Sequence, residues 1–122
     1  MSEHSATVEW RRTTADFAYA TYDRSHVIRF GDGLEIAGTA ARENIPATAP
    51  HSPGVDPEQA FVASISSCHM LWFLHLALNR KFTVDRYTDH AVGVLDKNAA
   101  GKMAMTRVTL RPAVTLDRRA HV

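Results

Sequence analysis

Outside one long apolar stretch, apolar and polar residues alternate along much of the chain. In "DFAYATY", Phe17, Tyr19 and Thr21 would share one face of a strand, and "TVEWRR" before it alternates in part. "SHVIRF" and "LEIAGTA" then alternate on either side of the glycines in Gly31–Gly33. This pattern predicts an antiparallel hairpin with a tight glycine turn.

The segment from Glu43 to Val55 contains three prolines and one glycine without any period, which predicts a long loop. Loops of this length often have a function or reach a partner subunit. The last third predicts two more strands, "TVDRYTDHAVGVLD" and "MAMTRVTLRPAVTL", with a turn at Gly101 between them. Pro112 inside the second strand indicates an edge strand or a bulge.

The apolar stretch predicts a helix from Pro57 to Arg80, about 36 Å long at about 1.5 Å per residue. Asp56 stands at the N-cap position and proline at the first helical position. Apolar residues lie on nearly all sides, which is typical of a buried or membrane-spanning helix. Because His69, His75 and several serines interrupt the apolar run, we interpret it as a central helix and not as a membrane span.

The order strands, long helix, strands predicts an α+β fold in which an antiparallel sheet packs on a long central helix. The length suits a single domain over residues 1–122. One helix on one sheet leaves apolar helix surface uncovered. We therefore expect either a partner subunit on that surface or further chain that is missing here.

Composition narrows the classes of function. The chain is 45% hydrophobic and 22% charged with a net charge of +1, so neither a nucleic-acid nor a membrane partner is expected. Its one cysteine excludes an intrachain disulfide, and no leader is visible at the start, so a reducing cytoplasm is the expected location. The seven histidines show no zinc spacing, and we predict no metal and no cofactor.

The single cysteine, Cys68, lies within "ASISSCHMLWFL". A free cysteine most often packs as a small hydrophobe, whereas a reactive thiol needs a nearby cation to stabilise the thiolate. His69 lies about 100° further round a helix and is therefore a poor activator. An arginine from elsewhere in the chain is the better candidate.

Three segments carry a family resemblance. "DPEQAFVASISSCHML" and "VDRYTDHAVGVLDKNAAGKMAMTRVTLRPAVTL" resemble the OsmC/Ohr family of thiol-dependent peroxidases, and "YDRSHVIRF" resembles an early strand of the OsmC-like branch. The resemblance covers roughly residues 17 to 116. It implies an OsmC-like fold that forms an intertwined homodimer.

The resemblance also implies a function and a site. Members of the family reduce organic hydroperoxides with a peroxidatic cysteine, which Cys68 matches. Glu58 matches an assisting glutamate, and Arg24 in "YDRSH" is the candidate for the activating arginine, with Arg29 and Arg42 as alternatives. The implied partners are an organic hydroperoxide and an external thiol reductant.

Ten residues of helix separate Glu58 from Cys68 by about 15 Å along the axis, so the two cannot touch within one straight helix. Arg24 must bridge them, the helix must break, or the site must be shared across a dimer.

The chain departs from the family in having no second, resolving cysteine, which in the family follows the strand that ends near Leu116. We expect either that the C-terminal helix and strand of the family are missing here, or that an external thiol resolves a one-cysteine enzyme. The alternative function is a non-catalytic OsmC-like dimer that binds an apolar ligand or a partner.

Overall fold

The chain divides into two compact units, Met1–Pro57 and Glu58–Val122. The computed structural model describes residues 1–117. Strands come first, then one long helix, then strands again, which confirms the predicted α+β class.

The first unit contains a three-stranded antiparallel sheet in the order β1-β2-β3. Its strands are β1 (Thr7–Glu9), β2 (His26–Arg29) and β3 (Glu35–Gly38). A short 3-10 turn at Gly31–Gly33 joins β2 to β3, so the predicted hairpin is confirmed. Gly33 has a φ of 79°, in the left-handed region where glycine costs no steric strain.

The predicted strand over "DFAYATY" is wrong, because this segment forms a turn. The backbone N–H groups of Thr21 and Tyr22 both donate to the carbonyl of Ala18, at 3.1 and 2.9 Å. The apolar rings do not line one strand face. Trp10, Phe17 and Tyr22 pack against each other instead, with ring centroids 5.1–6.0 Å apart.

The predicted loop after β3 is confirmed, apart from a short 3-10 turn at Arg42–Asn44. The Arg42 guanidinium donates to the carbonyls of Ala47 and Ala49, both at 3.1 Å. The loop returns to the sheet at Val55, which forms a parallel bridge with the last residue of β3. Hydrogen bonds from the Arg42 side chain to backbone carbonyls thus stabilise a loop that forms no strand pairing before Val55.

Helix α1 spans Pro57–Asn79, 23 residues, and ends one residue before the predicted end. Lys81 follows with a left-handed φ of 63°. Its N–H donates to the carbonyl of Leu78 at 3.0 Å, and the N–H of Phe82 donates to that of Ala77 at 2.9 Å. These two bonds form a Schellman motif, which satisfies the last carbonyls of the helix.

The second unit continues with four strands: β4 (Val84–Asp89), β5 (Val92–Lys97), β6 (Met103–Thr109) and β7 (Pro112–Leu116). β4 pairs with β7 and β5 pairs with β6, both antiparallel. Each predicted long strand is therefore broken in two, and the described strands form three sheets where one was predicted. Pro112 is the first residue of its strand, a position that proline tolerates.

Close packing between α1 and β5 depends on a glycine. A Cβ added to Gly93 would lie 2.4 Å from Cγ2 of Val62 on α1 and 2.6 Å from Cε of Met105 on β6. Among apolar side chains in residues 1–117, only Ala49 and Ala77 are buried. The few contacts that the helix makes with the strands are therefore important for the stability of the second unit.

Gly93→Ala should lower the free energy of unfolding by about 1–3 kcal/mol, because the new methyl group overlaps a β-branched side chain. Gly31→Ala is the matched control, since no atom lies within 4 Å of its added Cβ, and it should change stability by less than about 0.5 kcal/mol. Urea denaturation measures both variants. Equal stability of the two would contradict close packing of α1 on β5.

Candidate functional site

One face of α1 is fixed to β4 by side chains. The Ser66 hydroxyl donates to Oδ2 of Asp89 at 2.6 Å. Nδ1 of His69 lies 2.9 Å from the hydroxyl of Tyr87, and the ring of Phe73 lies 5.6 Å from the ring of Tyr87. The helix residues Ser66, His69 and Phe73 recur every three or four positions and form what we call the strand face of α1.

The opposite side, which we call the outer face of α1, is exposed and mostly apolar. Its large apolar side chains are between 46% and 71% exposed. By length and composition alone, α1 could cross a membrane. The outer face consists of Phe61, Ser64, Cys68, Leu71, Trp72, His75 and Leu78.

Cys68 lies near the middle of the outer face, and its side chain is exposed. At 100° per residue it is about 200° round the helix from Ser66, so it points away from β4. Leu71 and Trp72 are its neighbours one turn further along the helix, and the ring of Trp72 meets that of His75 edge to face at 6.0 Å. The thiol therefore lies in apolar surroundings that a second molecule can reach.

Two groups on β4 that contact or adjoin the strand face, Asp89 and Tyr87, have shifted pKa values. The hydrogen bond from Ser66 lowers the pKa of the Asp89 carboxyl, burial opposes this shift, and the N–H of Arg111, 2.6 Å from Oδ1, lowers it further. Partial burial raises the pKa of Tyr87, and the charge of Asp89 adds to the effect. Asp89 is therefore an ionised acceptor that links α1 to the start of β7.

His69 and His75 are both exposed, so neither is a core histidine. His69 contacts Tyr87 from the edge of the strand face. His75 lies on the outer face, with Nε2 3.2 Å from the side-chain nitrogen of Asn79.

Glu58 lies in the first turn of α1 and is half-buried. The helix is continuous from there to Cys68, so the two residues are separated by about 15 Å along the axis. A break in the helix, one of the three arrangements that could combine Glu58 and Cys68 in one site, is therefore excluded.

Arg24 belongs to the first unit and is half-buried just before β2. Its guanidinium donates to the carbonyls of Tyr22 at 2.8 Å and Tyr19 at 3.0 Å. The same group lies over the Tyr22 ring, 3.6 Å from its centroid. The guanidinium is thus held by two carbonyl groups and an aromatic ring. None of these contacts carries a negative charge that would offset its positive charge.

The two alternative arginines have contacts of a different kind. Arg29 pairs with Glu35 at 2.7 Å and with Glu9 at 3.0 Å. Both hydrogen bonds raise the pKa of Arg29, and the one from Arg29 lowers the pKa of Glu9. Arg42 holds the loop after β3. The combination of Arg24, Glu58 and Cys68 into one site stays a prediction.

Sequence reasoning missed Ser66, Tyr87 and Asp89. The available signal was the pair Asp89–His90, which interrupts an otherwise strand-like run. In residues 1–117, no group of three or more His, Cys, Asp or Glu side chains is arranged to hold a metal ion.

The chain is similar to a solved OsmC-like protein of unknown function from Vibrio cholerae. The two are 45% identical, with a TM-score of 0.87, and the match covers 96% of this chain and 77% of that one. No protein-family model matches the chain, and neither does any curated protein. The identity and coverage show that the chain belongs to the OsmC-like family, and its fold is the OsmC-like α+β fold.

Ser66→Ala should raise the pKa of Asp89 towards its ordinary value of 3.8 and destabilise the protein. A carboxyl whose folded-state pKa is lowered stabilises the fold above its unfolded pKa, and this effect disappears as the pH falls through the folded pKa. The variant should therefore lose stability at about pH 7 and lose little at about pH 2.

Ser64→Ala is the matched control, because the Ser64 hydroxyl donates to the carbonyl of Phe61 within α1. Urea denaturation at both pH values gives the comparison. A Ser66→Ala deficit that is the same at both pH values would contradict the role assigned to Asp89.

Proposed function

We propose that the chain is a thiol-dependent peroxidase that reduces organic hydroperoxides with Cys68. Its thiolate attacks the terminal peroxide oxygen, the O–O bond breaks, and the leaving alkoxide takes up a proton to become an alcohol. Cys68 is left as a sulfenic acid. An external thiol then forms a mixed disulfide with release of water, and a second thiol restores Cys68 and leaves as part of a disulfide.

The observation that carries this proposal is the exposed thiol of Cys68 on an apolar helix face. A thiol kept only for packing would be buried, as free cysteines usually are. Leu71 and Trp72 next to it suit the organic group of a hydroperoxide. Membership of the OsmC-like family supports the same chemistry.

Arg24 is the arginine we assign to the thiolate. Arg29 already faces two carboxylates, which offset its charge. Arg42 binds carbonyls within its own loop. The Arg24 guanidinium is held by carbonyls and a ring, so its full charge can stabilise a thiolate and orient a peroxide. We assign Glu58 to holding this arginine through a carboxylate–guanidinium pair.

The reductant is proposed to be an external thiol, because Cys68 is the one cysteine of these 122 residues. A cycle that returns a sulfenic acid to a thiol in this way suits a reducing compartment, and we place the protein in the cytoplasm on that ground.

A second copy of the chain is our proposed cover for the outer face of α1. Monomeric proteins rarely expose contiguous apolar patches larger than a few hundred Å². The strand face makes polar contacts with β4 and packs on Gly93, so α1 is fixed within a folded unit, which favours a protein partner over lipid. The second copy would then lie against the apolar surface around Cys68.

A non-catalytic OsmC-like dimer that binds an apolar ligand is the second candidate. The apolar outer face favours it, and the solved relative has no known function. Chemistry at Cys68 separates the two candidates.

Treatment with cumene hydroperoxide in the presence of dimedone should place one dimedone adduct on Cys68, because the sulfenic acid is the first product. Peptide mass spectrometry locates the adduct. Arg24→Gln should slow its formation by at least about tenfold, since one charge-assisted contact is typically worth that much. Arg29→Gln and Arg42→Gln are the matched controls and should react at close to the wild-type rate.

If the accessible, folded thiol gives no adduct, the peroxidase proposal is wrong. If Arg29→Gln or Arg42→Gln causes the loss and Arg24→Gln does not, the activating role moves to that arginine.

The wild-type chain should sediment with a mass near twice 13.5 kDa at micromolar concentration. Leu71→Glu should shift it towards the monomer, because a charge on the outer face cannot be buried without a partner. Leu34→Glu is the matched control: Leu34 is 59% exposed and Leu71 60%, but Leu34 belongs to the first unit and is not part of α1.

A folded wild-type monomer would contradict the dimer. A dimer that survives Leu71→Glu would contradict the assignment of the outer face, and a chain that stays dispersed only in detergent would assign that face to lipid.

A further inference from the structure

The first unit contains an aromatic pocket with a volume of about 390 Å³. Every residue that lines it belongs to Met1–Pro57. The residues that matter for its chemistry are Trp10, Phe17, Tyr22, Arg24 and His26. The volume is at the lower end of the range for small-molecule pockets, which suits a compact ligand.

Three rings form the apolar wall of this pocket. Phe17 lies 5.6 Å from Trp10 and 5.1 Å from Tyr22, measured between ring centroids, and all three pairs are tilted or edge to face. Aromatic rings prefer such arrangements with a further ring, so the wall favours an aromatic ligand over an open alkyl chain.

Arg24 gives the pocket its charge. Its guanidinium lies over the Tyr22 ring and donates to two backbone carbonyls. A guanidinium has five N–H donors, and these two bonds leave three for other acceptors. Its planar fork matches a carboxylate, which can accept two parallel hydrogen bonds.

The pocket is formed before any ligand arrives. The indole N–H of Trp10 donates to the carbonyl of Asp23 at 2.8 Å, and Nδ1 of His26 lies 2.8 Å from the carbonyl of Arg24. The His26 ring packs directly on Gly38, where an added Cβ would lie 2.3 Å from Nε2. A site whose walls are already held loses little conformational entropy on binding.

We propose that this pocket binds a small aromatic carboxylate, with its ring against Trp10, Phe17 and Tyr22 and its carboxylate on Arg24. The site needs no chemistry at Cys68. Its test therefore does not depend on peroxidase activity, although the two proposals share Arg24.

Binding to the 122-residue chain is measured by calorimetry and by saturation-transfer NMR with three probes. Benzoate should bind saturably with a dissociation constant of about 1 mM or lower. Benzyl alcohol has the ring without the charge, and acetate has the charge without the ring. Each should bind at least about tenfold more weakly, because each lacks one of the two interactions.

Arg24→Gln should weaken benzoate at least about tenfold and leave benzyl alcohol unchanged. Arg12→Gln is the matched control: Arg12 donates to the carbonyls of Thr14 and Ala15 in the same segment and does not line the pocket. Phe17→Ala should weaken both ring-containing probes. Phe17 is mostly exposed, so its loss should not unfold the protein.

If Arg24→Gln fails to fold, Arg24→Lys replaces it. A lysine keeps the charge but not the fork, and benzoate should then bind between the wild-type value and that of benzyl alcohol. The inference is overturned if benzoate does not saturate by about 10 mM, if benzyl alcohol binds equally well, or if neither Arg24 variant affects benzoate.

Cys68→Ser separates this inference from the proposed function. The variant should bind benzoate as the wild type does, whether or not the wild type reduces hydroperoxides. A loss of benzoate binding in Cys68→Ser would place the ligand at the thiol and overturn the inference.

Discussion

The central constraint on this chain is that one helix, α1, packs against β4 on one face while its other face is apolar and exposed. Its strand face is fixed to β4 by the Ser66–Asp89 and His69–Tyr87 contacts, and Val62 packs on Gly93. Its outer face remains apolar and exposed. Because few described side chains are buried, the contacts of α1 decide both the stability of the second unit and which surface is left for function. Cys68 lies on that surface because the packing of the strand face on β4 places Cys68 on the opposite side of α1.

The chemistry we propose follows from this arrangement. An exposed thiol on an apolar face is accessible to an organic hydroperoxide, but it still needs a cation for the thiolate. Three arginines of the first unit have distinct surroundings, and we assign their roles from these surroundings. Arg29 shares two carboxylates, Arg42 holds a loop, and Arg24 keeps its charge between carbonyls and a tyrosine ring.

The sequence was sufficient for the elements whose signals are local. Pro57 at the first helical position and the apolar run after it predicted α1 to within one residue, and the glycines at Gly31–Gly33 predicted the hairpin. It failed at "DFAYATY", where rings packed against each other override the alternation that predicts a strand. The Ser66–Asp89 contact joins residues 23 apart, and no local pattern encodes such a pair. The motif around Cys68 indicated the OsmC-like family, which the solved relative supports, whereas the contacts of each arginine could be seen only in the structure.

The most direct test of the central claim is turnover. The wild-type chain is incubated with excess cumene hydroperoxide and dithiothreitol, and the cumyl alcohol formed is counted per molecule of protein. The proposed cycle predicts many alcohols per Cys68 and none above background for Cys68→Ser. Alcohol formation that stops at one per chain, or that is equally fast in Cys68→Ser, would contradict catalysis by this thiol.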